Sequence, residues 1–202
     1  MTTEDQPRLI LASASQRRAS LLAEAGVRHE VVVPTISEPD EVMNRLPPTQ
    51  QAEALAYFKA RTIGFLHPDA LVLGADTIVV REGTILGKPA DRQDARRMLR
   101  GLSGTRHAVI TGVALIAPGG RRLIASDVTH VTMRQISDKE IEAYLDSGEW
   151  IGKAGAYAIQ ETADRFVENI EGSFSNIVGL PMELLERMLK EIHHKANQRR
   201  SP

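Results

Sequence analysis

The segment Ser13-Ala14-Ser15-Gln16-Arg17-Arg18 carries the clearest chemistry in the chain, and it directly follows an apolar run at residues 9–12. Small hydroxyl residues therefore form the turn out of a short strand, and two arginines lie on the first turn of the next helix. Backbone N–H groups, the positive end of the helix dipole and two guanidinium groups would together bind an anion. Arginines in a first turn oppose the dipole, a cost that a bound anion offsets. This favours phosphate binding over the alternative, a serine N-cap with solvated arginines.

Two acidic residues are candidates for metal or acid–base chemistry. Glu38 lies in the loop after the second predicted strand, and Asp76 lies at the end of an apolar strand. Open α/β sheets gather their catalytic groups at the carboxyl edge of the strands. With a divalent cation, the two carboxylates could hold a triphosphate and activate a water. The alternatives are a turn-capping role for Asp76 and, for Glu38 beside Asp40 and Glu41, a solvated acidic loop.

Two lysines are candidates for further phosphate contacts. Lys59 lies on a predicted helix among apolar neighbours, and Lys88 lies between a glycine and a proline. Each of them alone is also compatible with an ordinary surface lysine, whose stem covers apolar atoms while its ammonium stays in water.

Several protein classes are excluded or disfavoured. The chain has no cysteine, which excludes disulfide scaffolds and thiol nucleophiles. It has no G-x-G-x-x-G or P-loop motif and no H-E-x-x-H pair. A net charge of −1 and scattered aromatic residues disfavour nucleic-acid binding. No apolar run approaches the roughly 18 residues that cross a membrane, and no signal peptide is recognisable, so we expect a cytoplasmic protein without membrane or nucleic-acid partners.

The hydrophobic patterns predict the elements that must position these residues. Strands are predicted at residues 9–12, 31–33, 70–80, 85–86 and 157–160, with a long hairpin at 108–117 and 123–133. Helices are predicted from Ser15 to Gly26, over 50–65, from Asp91 to Gly101, from the Ser137 capping box through Leu145, and from Pro181 to about His193. Because the hairpin excludes a purely parallel sheet, we predict an α/β fold with a mixed sheet and flanking helices.

The domain organisation is expected to be simple. Residues 9–193 are predicted to form one domain, after a disordered polar segment at 1–8 and before a flexible basic tail at 194–202. The acidic, proline-rich stretch at 34–48 is expected to be an active-site loop, because too few residues precede it for a separate domain.

Nine short blocks occur in a specific order between Leu9 and about Leu189. They are Ser13–Arg18, Glu38, Lys59-Ala60, Gly74–Thr77, Gly87–Pro89, Leu102–Gly104, Thr111–Val113, Lys153–Gln160, and Gly172-Ser173 with Gly179–Pro181. In this set the chain resembles the Maf family of nucleotide pyrophosphatases. The resemblance implies a mixed α/β fold with a deep nucleotide cleft, often dimeric. It also implies cleavage of nucleoside triphosphates to the monophosphate and pyrophosphate, with a divalent metal such as Mg²⁺ or Mn²⁺.

The resemblance also implies roles for individual residues. Asp76 is the proton acceptor for the attacking water and, with Glu38, a metal ligand. The residues that would hold the phosphates are Ser13, Ser15, Arg18, Lys59 and Lys88. Because a carboxylate is a weak base, the metal must supply much of the driving force by acidifying the water.

Three positions divide the family by substrate. Arg17, Thr77 and Gln160 match the branch that is similar to dTTP/UTP pyrophosphatases. The branch acting on 7-methyl-GTP has an aromatic residue, Gln and Glu there. The Gln160 amide offers both a donor and an acceptor, as a pyrimidine edge requires. One departure is Gln16, which stands where the family commonly has proline and loosens the turn.

Other functions are open from the sequence. One is a house-cleaning pyrophosphatase for modified nucleotides. Another is a nucleotide-sensing regulator of cell division, since the family resemblance includes a link to septum formation; it would bind nucleotides with little hydrolysis. The presence of Glu38, Asp76 and Lys88 argues against an inactive enzyme. A homodimer is expected from the resemblance alone.

Overall fold

The computed structural model describes residues 7–35, 46–160 and 162–197. Seven strands and six α-helices lie in these ranges: β1 (Leu9–Ala12), α1 (Gln16–Glu24), β2 (Glu30–Val31), α2 (Pro48–Leu66), β3 (Leu71–Arg81), β4 (Thr84–Leu86), α3 (Arg92–Leu102), β5 (Arg106–Ile116), β6 (Arg122–Met133), α4 (Asp138–Ser147), β7 (Val167–Glu171), α5 (Phe174–Val178) and α6 (Met182–Asn197). None of the described helices combines the length and the apolar character that a membrane crossing needs.

The strands form one mixed sheet in the order β2-β1-β3-β5-β6-β7, with β4 paired to β3. Strand β1 runs parallel to β2 and to β3. Strand β4 is antiparallel to β3, and β7 is antiparallel to β6. The predicted α/β class with a mixed sheet is confirmed. The deep nucleotide cleft stays a prediction.

The chain divides into two compact units. Unit 1 takes its described residues from Met1–Asp76, Thr111–Ser126 and Gly179–Pro202, and unit 2 takes them from Thr77–Ile110 and Asp127–Val178. Strands β3, β5 and β6 contribute residues to both units. The two units are described separately below.

Strand residues in unit 1 alternate between two buried faces, as a pleated strand requires. One face joins Leu9, Leu11, Leu71, Leu73, Val113 and Leu115 to residues of α1 and α6, such as Leu22, Leu185 and Met188. The other face joins Ile10, Ala12, Val72 and Ala114 to Ala56, Ala60 and Ile63 of α2. Asp76 comes four residues after Val72 in β3, an even spacing, so the two side chains lie on the same face of the sheet. That face is the one covered by α2.

Helix α2 lies unusually close to β3 and β5, and two glycines allow this. A Cβ atom on Gly74 would lie 2.2 Å from the carbonyl oxygen of Ala56. One on Gly112 would lie 2.2 Å from the carbonyl oxygen of Ala52. Both neighbours are backbone atoms, so a side chain at either position would push the whole helix away. The sequence Gly74-Ala75-Asp76 therefore has a packing reason for its glycine.

Helices α3 and α4 of unit 2 begin at the predicted signals. The Asp91 side chain caps α3 by accepting a hydrogen bond from the N–H of Asp94 at 2.8 Å. Ser137 and Glu140 form the complete capping box at the start of α4. Gly148 ends α4 in the left-handed conformation, at φ 74°. Each device satisfies backbone groups that a helix terminus leaves without intrahelical partners.

Three sequence predictions were wrong. Asp76 does not end a strand, because β3 continues to Arg81. Residues 157–160 do not form a strand; they follow a 3₁₀ turn at Ala154–Ala156 whose left-handed residues, Gly155 and Ala156, interrupt an extended backbone. The predicted strand at 31–33 is reduced to the pair Glu30–Val31. In addition, β7 and α5 were not predicted, since Val167–Glu171 is mostly polar and α5 spans five residues.

Some predicted segments lie largely outside the described residues. These are the N-terminal segment at 1–8, most of the loop at 34–48, and the end of the tail at 194–202. The last helix is longer than predicted and continues to Asn197.

Because α2 lies so close to β3 and β5, we expect a glycine-to-alanine substitution to have opposite effects on stability at different positions. Gly74→Ala or Gly112→Ala forces a methyl group into backbone atoms, so the free energy of unfolding should fall by about 3 kcal/mol or more. Gly64→Ala is the matched control in α2 itself. There the nearest atom to an added Cβ, in Ile116, is 3.7 Å away, an ordinary contact. Helix propensity should then raise the free energy of unfolding by about 0.5–1 kcal/mol.

Urea denaturation of the three variants and the unmodified chain measures these differences. Equal effects at positions 64, 74 and 112 would show that the close packing of α2 is not what requires Gly74 and Gly112.

Candidate active site

The turn after β1 is organised around the buried hydroxyl of Ser13. The backbone N–H of Ser15 donates to Ser13 Oγ at 3.2 Å, and Nη1 of Arg18 donates to the same oxygen at 3.0 Å. Nε of Arg18 donates to the carbonyl oxygen of Gly179 at 2.7 Å. Ser15 occupies the N-cap of α1 without a side-chain cap hydrogen bond. The alternative of a capping serine side chain with a solvated arginine is therefore wrong for Ser15 and Arg18.

The first turn of α1 concentrates positive charge. It contains Arg17 and Arg18, both half-buried, and no acidic residue. Burial lowers the pKa of the Arg18 guanidinium from its ordinary value; the charge of Asp76 raises it, and that of Arg17 lowers it further. An anion bound here would face a cation that is partly withdrawn from solvent, where charge-assisted hydrogen bonds are strong.

Asp76 and Lys59 form an ion pair in unit 1. The ammonium of Lys59 donates to Oδ1 of Asp76, and the two side chains are only 16% and 14% exposed. The β1–β3 ladder ends at the pair Ala12 and Gly74, so Asp76 lies two residues beyond that parallel edge. The pairing excludes a turn-capping role for Asp76 and a surface role for Lys59. It also places a carboxylate and an ammonium just beyond the carboxyl end of the β1–β3 ladder.

Three predicted site residues belong to unit 2. Thr77 is half-buried in β3, while Lys88, after β4, and Gln160 are exposed. The N–H of Gly155 donates to the carbonyl oxygen of Gly87 at 3.0 Å, which joins the loop containing Lys88 to the segment that leads to Gln160. The structure thus brings Ser13, Arg18, Lys59 and Asp76 together in unit 1, and it links the Lys88 and Gln160 segments in unit 2. The catalytic, phosphate-binding and specificity roles of these residues stay predictions.

The residues around Asp76 can be tested against the expected metal. In the described ranges, no three Asp, Glu or His side chains cluster into a metal cage. Glu38, the second predicted ligand, lies outside the described residues. Mg²⁺ needs no such cage, because it binds through one or two carboxylates, waters and substrate phosphates. Asp76 therefore fits a cation that arrives with a triphosphate, and does not by itself make a structural metal site.

Sequence reasoning missed a buried polar pair in unit 2. His107 in β5 and Tyr157 are 2% and 5% exposed, and His107 Nε2 lies 2.8 Å from the Tyr157 hydroxyl oxygen. Their rings meet edge to face, with centroids 5.5 Å apart. Burial, and then the charges of Arg81 and His130, lower the pKa of His107 to about 4. His107 directly precedes the predicted strand at 108–117, and that position does not reveal a partner fifty residues away.

Comparison with known proteins identifies the family. The model of the Maf-like protein family matches residues 8–192. The chain therefore belongs to the Maf-like family. A dTTP/UTP pyrophosphatase of Moorella thermoacetica is 47% identical over 183 residues, which cover 90% of this chain and 93% of the relative. A dTTP/UTP pyrophosphatase of Alkaliphilus metalliredigens is 46% identical over 190 residues, covering 93% and 97%.

A solved structure shows a more distant likeness. The nucleoside-triphosphatase / dITP/XTP pyrophosphatase of Mycobacterium abscessus aligns with 64% of this chain and 75% of its own, at 18% identity and a TM-score of 0.40. At that distance the likeness carries no argument about this chain.

Burial of His107 predicts a loss of stability in mild acid. The unfolded ring has an ordinary pKa of 6.5 and the folded ring a pKa of about 4, so the unfolded chain binds more protons between these values. The contribution is present above pH 6.5 and is lost as the pH falls towards 4. Between pH 7 and pH 5, His107 should lower the free energy of unfolding by about 2 kcal/mol.

Urea denaturation at both pH values measures this loss, with His107→Gln as the control that removes the titrating ring. The variant should lose about 2 kcal/mol less than the unmodified chain over the same interval. An identical pH dependence in both proteins would contradict the assignment of a neutral buried His107.

Proposed function

We propose that the protein is a nucleoside triphosphate pyrophosphatase that hydrolyses dTTP and UTP to the monophosphate and pyrophosphate. The observation that carries the proposal is the Lys59–Asp76 ion pair at the edge of β1, with Arg18 close enough to interact electrostatically with Asp76. The family and the named activity of relatives that are 42% to 47% identical over most of the chain support it. The comparisons give no support to a regulator with little hydrolysis.

The cations of unit 1 are suited to a triphosphate. Lys59 and Arg18 together outnumber the Asp76 carboxylate by one charge, and both side chains are partly removed from water. Interactions between charges are stronger where solvent is partly excluded. Ser13 holds the guanidinium of Arg18 through its hydroxyl, so the group is oriented before a phosphate arrives. Ser15, Arg17 and Lys88 are the further proposed contacts.

The proposed chemistry uses Asp76 as the proton acceptor. In the structure the Lys59 ammonium occupies Oδ1 of Asp76. Triphosphate oxygens compete for that ammonium, and its movement towards them leaves the carboxylate able to accept a hydrogen bond from water. The water oxygen then forms a bond to phosphorus at the α–β linkage, and its proton passes to Asp76. The bridging P–O bond breaks, and pyrophosphate leaves the monophosphate.

A divalent metal, Mg²⁺ or Mn²⁺, is proposed as the cofactor. Asp76 would hold it together with Glu38 and the phosphate oxygens. When bound, the metal supplies neutralisation of phosphate charge and acidification of the water. The protein's part is to hold Asp76 and Arg18 in place around that position, with Lys59 within reach of both the carboxylate and the phosphates.

Base selection is assigned to Arg17, Thr77 and Gln160. The exposed Gln160 amide can donate and accept at once, which fits the O4 and N3–H edge shared by thymine and uracil. If the amide is held in one orientation, the site rejects a base with the inverse pattern, because polar groups would remain unpaired. Modified pyrimidine triphosphates that keep this edge remain within the proposed substrate class.

Two further properties belong to the same proposal. Nucleoside triphosphates are cytoplasmic metabolites, and we place the enzyme there with them. The homodimer is supported only by the family resemblance, and light scattering of the purified protein tests it.

Replacing Asp76 with asparagine should separate binding from chemistry. Asp76→Asn keeps the shape of the side chain but removes the proton acceptor, so turnover of dTTP should fall by at least about 10³-fold. Nucleotide affinity should be kept or increased, because Lys59 is released and one negative charge is removed. Pyrophosphate release and calorimetric binding are the measurements.

Asp69→Asn is the matched control, since it makes the same change at a carboxylate that is 74% exposed in unit 1. It should leave turnover unchanged. Loss of both binding and folding in Asp76→Asn would contradict the catalytic role, as would normal turnover in that variant.

Base specificity can be measured across dTTP, UTP, CTP, GTP and 7-methyl-GTP with Mg²⁺. The unmodified chain should turn over dTTP and UTP strongly and the other three weakly. Gln160→Ala should reduce kcat/KM for UTP relative to GTP by about tenfold or more, since it removes the proposed base contact. Gln93→Ala, an exposed glutamine on α3 in the same unit, is the control and should change nothing. Equal rates on all five nucleotides would contradict the specificity.

A further inference from the structure

The segment leading to Gln160 is anchored along its length. Gly155, Ala156, Tyr157, Ala158 and Ile159 are all buried, and Gln160, the next residue, is exposed. Residues 157–160 belong to neither a helix nor a strand. No strand ladder holds these residues, so contacts of their buried side chains contribute to their position.

The backbone before this segment is in an unfavourable conformation. Ala156 has a φ of 62°, in the left-handed region, although it carries a Cβ and is fully buried. A non-glycine residue persists there only where the surrounding structure holds it. The N–H of Gly155 supplies one restraint by donating to the carbonyl oxygen of Gly87. The N–H of Ala156 donates to the carbonyl oxygen of Lys153 at 3.1 Å, on the same side. A second restraint acts on the other side of Ala156, at Tyr157.

The pair of Tyr157 and His107 provides that second restraint. Because burial keeps the His107 ring neutral, one of its nitrogens carries a hydrogen and the other can accept. A phenol donates more strongly than a neutral imidazole N–H, so we assign the bond as Tyr157 O–H donating to Nε2. The hydrogen then lies on Nδ1, which is buried and has no hydrogen-bond partner within the described ranges.

This pair is not an efficient way to stabilise a core. A buried N–H without a partner costs free energy, and replacing both members of such a pair with apolar groups is often neutral or stabilising. What the pair does supply is direction, because a hydrogen bond at 2.8 Å fixes the Tyr157 ring relative to β5. The ring lies three residues before Gln160.

We propose that His107 and Tyr157 are positioning residues for base recognition, acting through Gln160. The proposal rests on the proposed function. In this arrangement His107 holds the Tyr157 hydroxyl, the Tyr157 ring holds residues 155–159, and that segment presents the Gln160 amide to the pyrimidine edge. Neither His107 nor Tyr157 touches the reacting phosphates.

The first test measures position without using activity. Tyr157→Phe removes the hydroxyl alone, and amide hydrogen exchange of the peptide covering residues 155–160 should become faster. Ile141→Val removes one buried methyl group from α4 in the same unit and is the matched control for a small loss of core packing. The control should leave exchange in that peptide unchanged. Unchanged exchange in Tyr157→Phe would overturn the proposal.

The second test measures selection of the base. Tyr157→Phe should raise KM for dTTP and UTP by up to about tenfold, the cost of one misplaced hydrogen bond, with kcat nearly unchanged. The ratio of kcat/KM for UTP to that for GTP should fall in parallel. In a Gln160→Ala background, Tyr157→Phe should have little further effect, because both changes act on one contact. The proposal would be overturned if the effects of Tyr157→Phe and Gln160→Ala on kcat/KM were additive. It would also be overturned if the kinetic constants of Tyr157→Phe matched those of Ile141→Val.

A double variant separates positioning from stability. His107→Leu with Tyr157→Phe removes both polar groups, so it should regain stability relative to His107→Leu alone yet keep the raised KM. Normal KM in a stable double variant would show that the pair serves the core only.

Failure of the proposed function has a different signature. If the unmodified chain hydrolyses no pyrimidine triphosphate while Tyr157→Phe still accelerates exchange at 155–160, the positioning holds and the assigned activity is wrong.

Discussion

The close packing of α2 against the glycines of β3 and β5 is the constraint on which unit 1 depends. Ala52, Ala56 and Ala60 recur every fourth residue on one side of the helix, and Gly74 and Gly112 face them without side chains. Asp76 lies two residues after Gly74, on the same face of the sheet. Lys59 precedes Ala60 by one residue. The contact that brings the helix onto the strand therefore also sets the distance between the ammonium and the carboxylate.

That distance has a functional consequence. With Lys59 on its Oδ1 atom, the Asp76 carboxylate has one lone pair engaged, and both charges are stabilised in a partly desolvated place. A triphosphate is the kind of ligand that can compete for the ammonium, because it brings several anionic oxygens. The pair is thus compatible with a base that becomes available when substrate is bound, and α2 needs no movement for this, only a rotation of the lysine side chain.

The sequence predicted local features well where a residue type has a specific structural role, such as capping a helix. Asp91 and the Ser137 capping box marked helix starts, and Gly148 follows the predicted end of α4. The apolar runs located β1, β3 and the hairpin of β5 and β6. The predicted strand at 70–80 runs through Asp76 and is confirmed by β3, whereas the placement of Asp76 at a strand end, where a polar residue interrupts the apolar run, was wrong. Hydrogen bonds of the main chain do not show in hydrophobic patterns.

The contacts that define the site are long-range, and no local pattern encodes them. The carbonyl of Gly179 accepts from Arg18, which lies 161 residues earlier, and Lys59 meets Asp76 across 17 residues. Family resemblance named candidate residues but not their partners. The strand prediction at 157–160 was wrong for a related reason. Consecutive residues there are buried, whereas strand residues point to alternate faces of a sheet.

Three departures from ordinary local rules occur together in one part of the chain. In unit 2, a left-handed Ala156, a buried neutral His107 and an Nδ1 atom without a described partner all concern one short segment. In unit 1, by contrast, the sheet faces alternate regularly, and glycine occupies the positions where helix and strand backbones meet. Proteins tolerate such local costs where geometry serves recognition or catalysis. Since these three costs meet at the segment before Gln160, they are what the proposed positioning of that amide predicts.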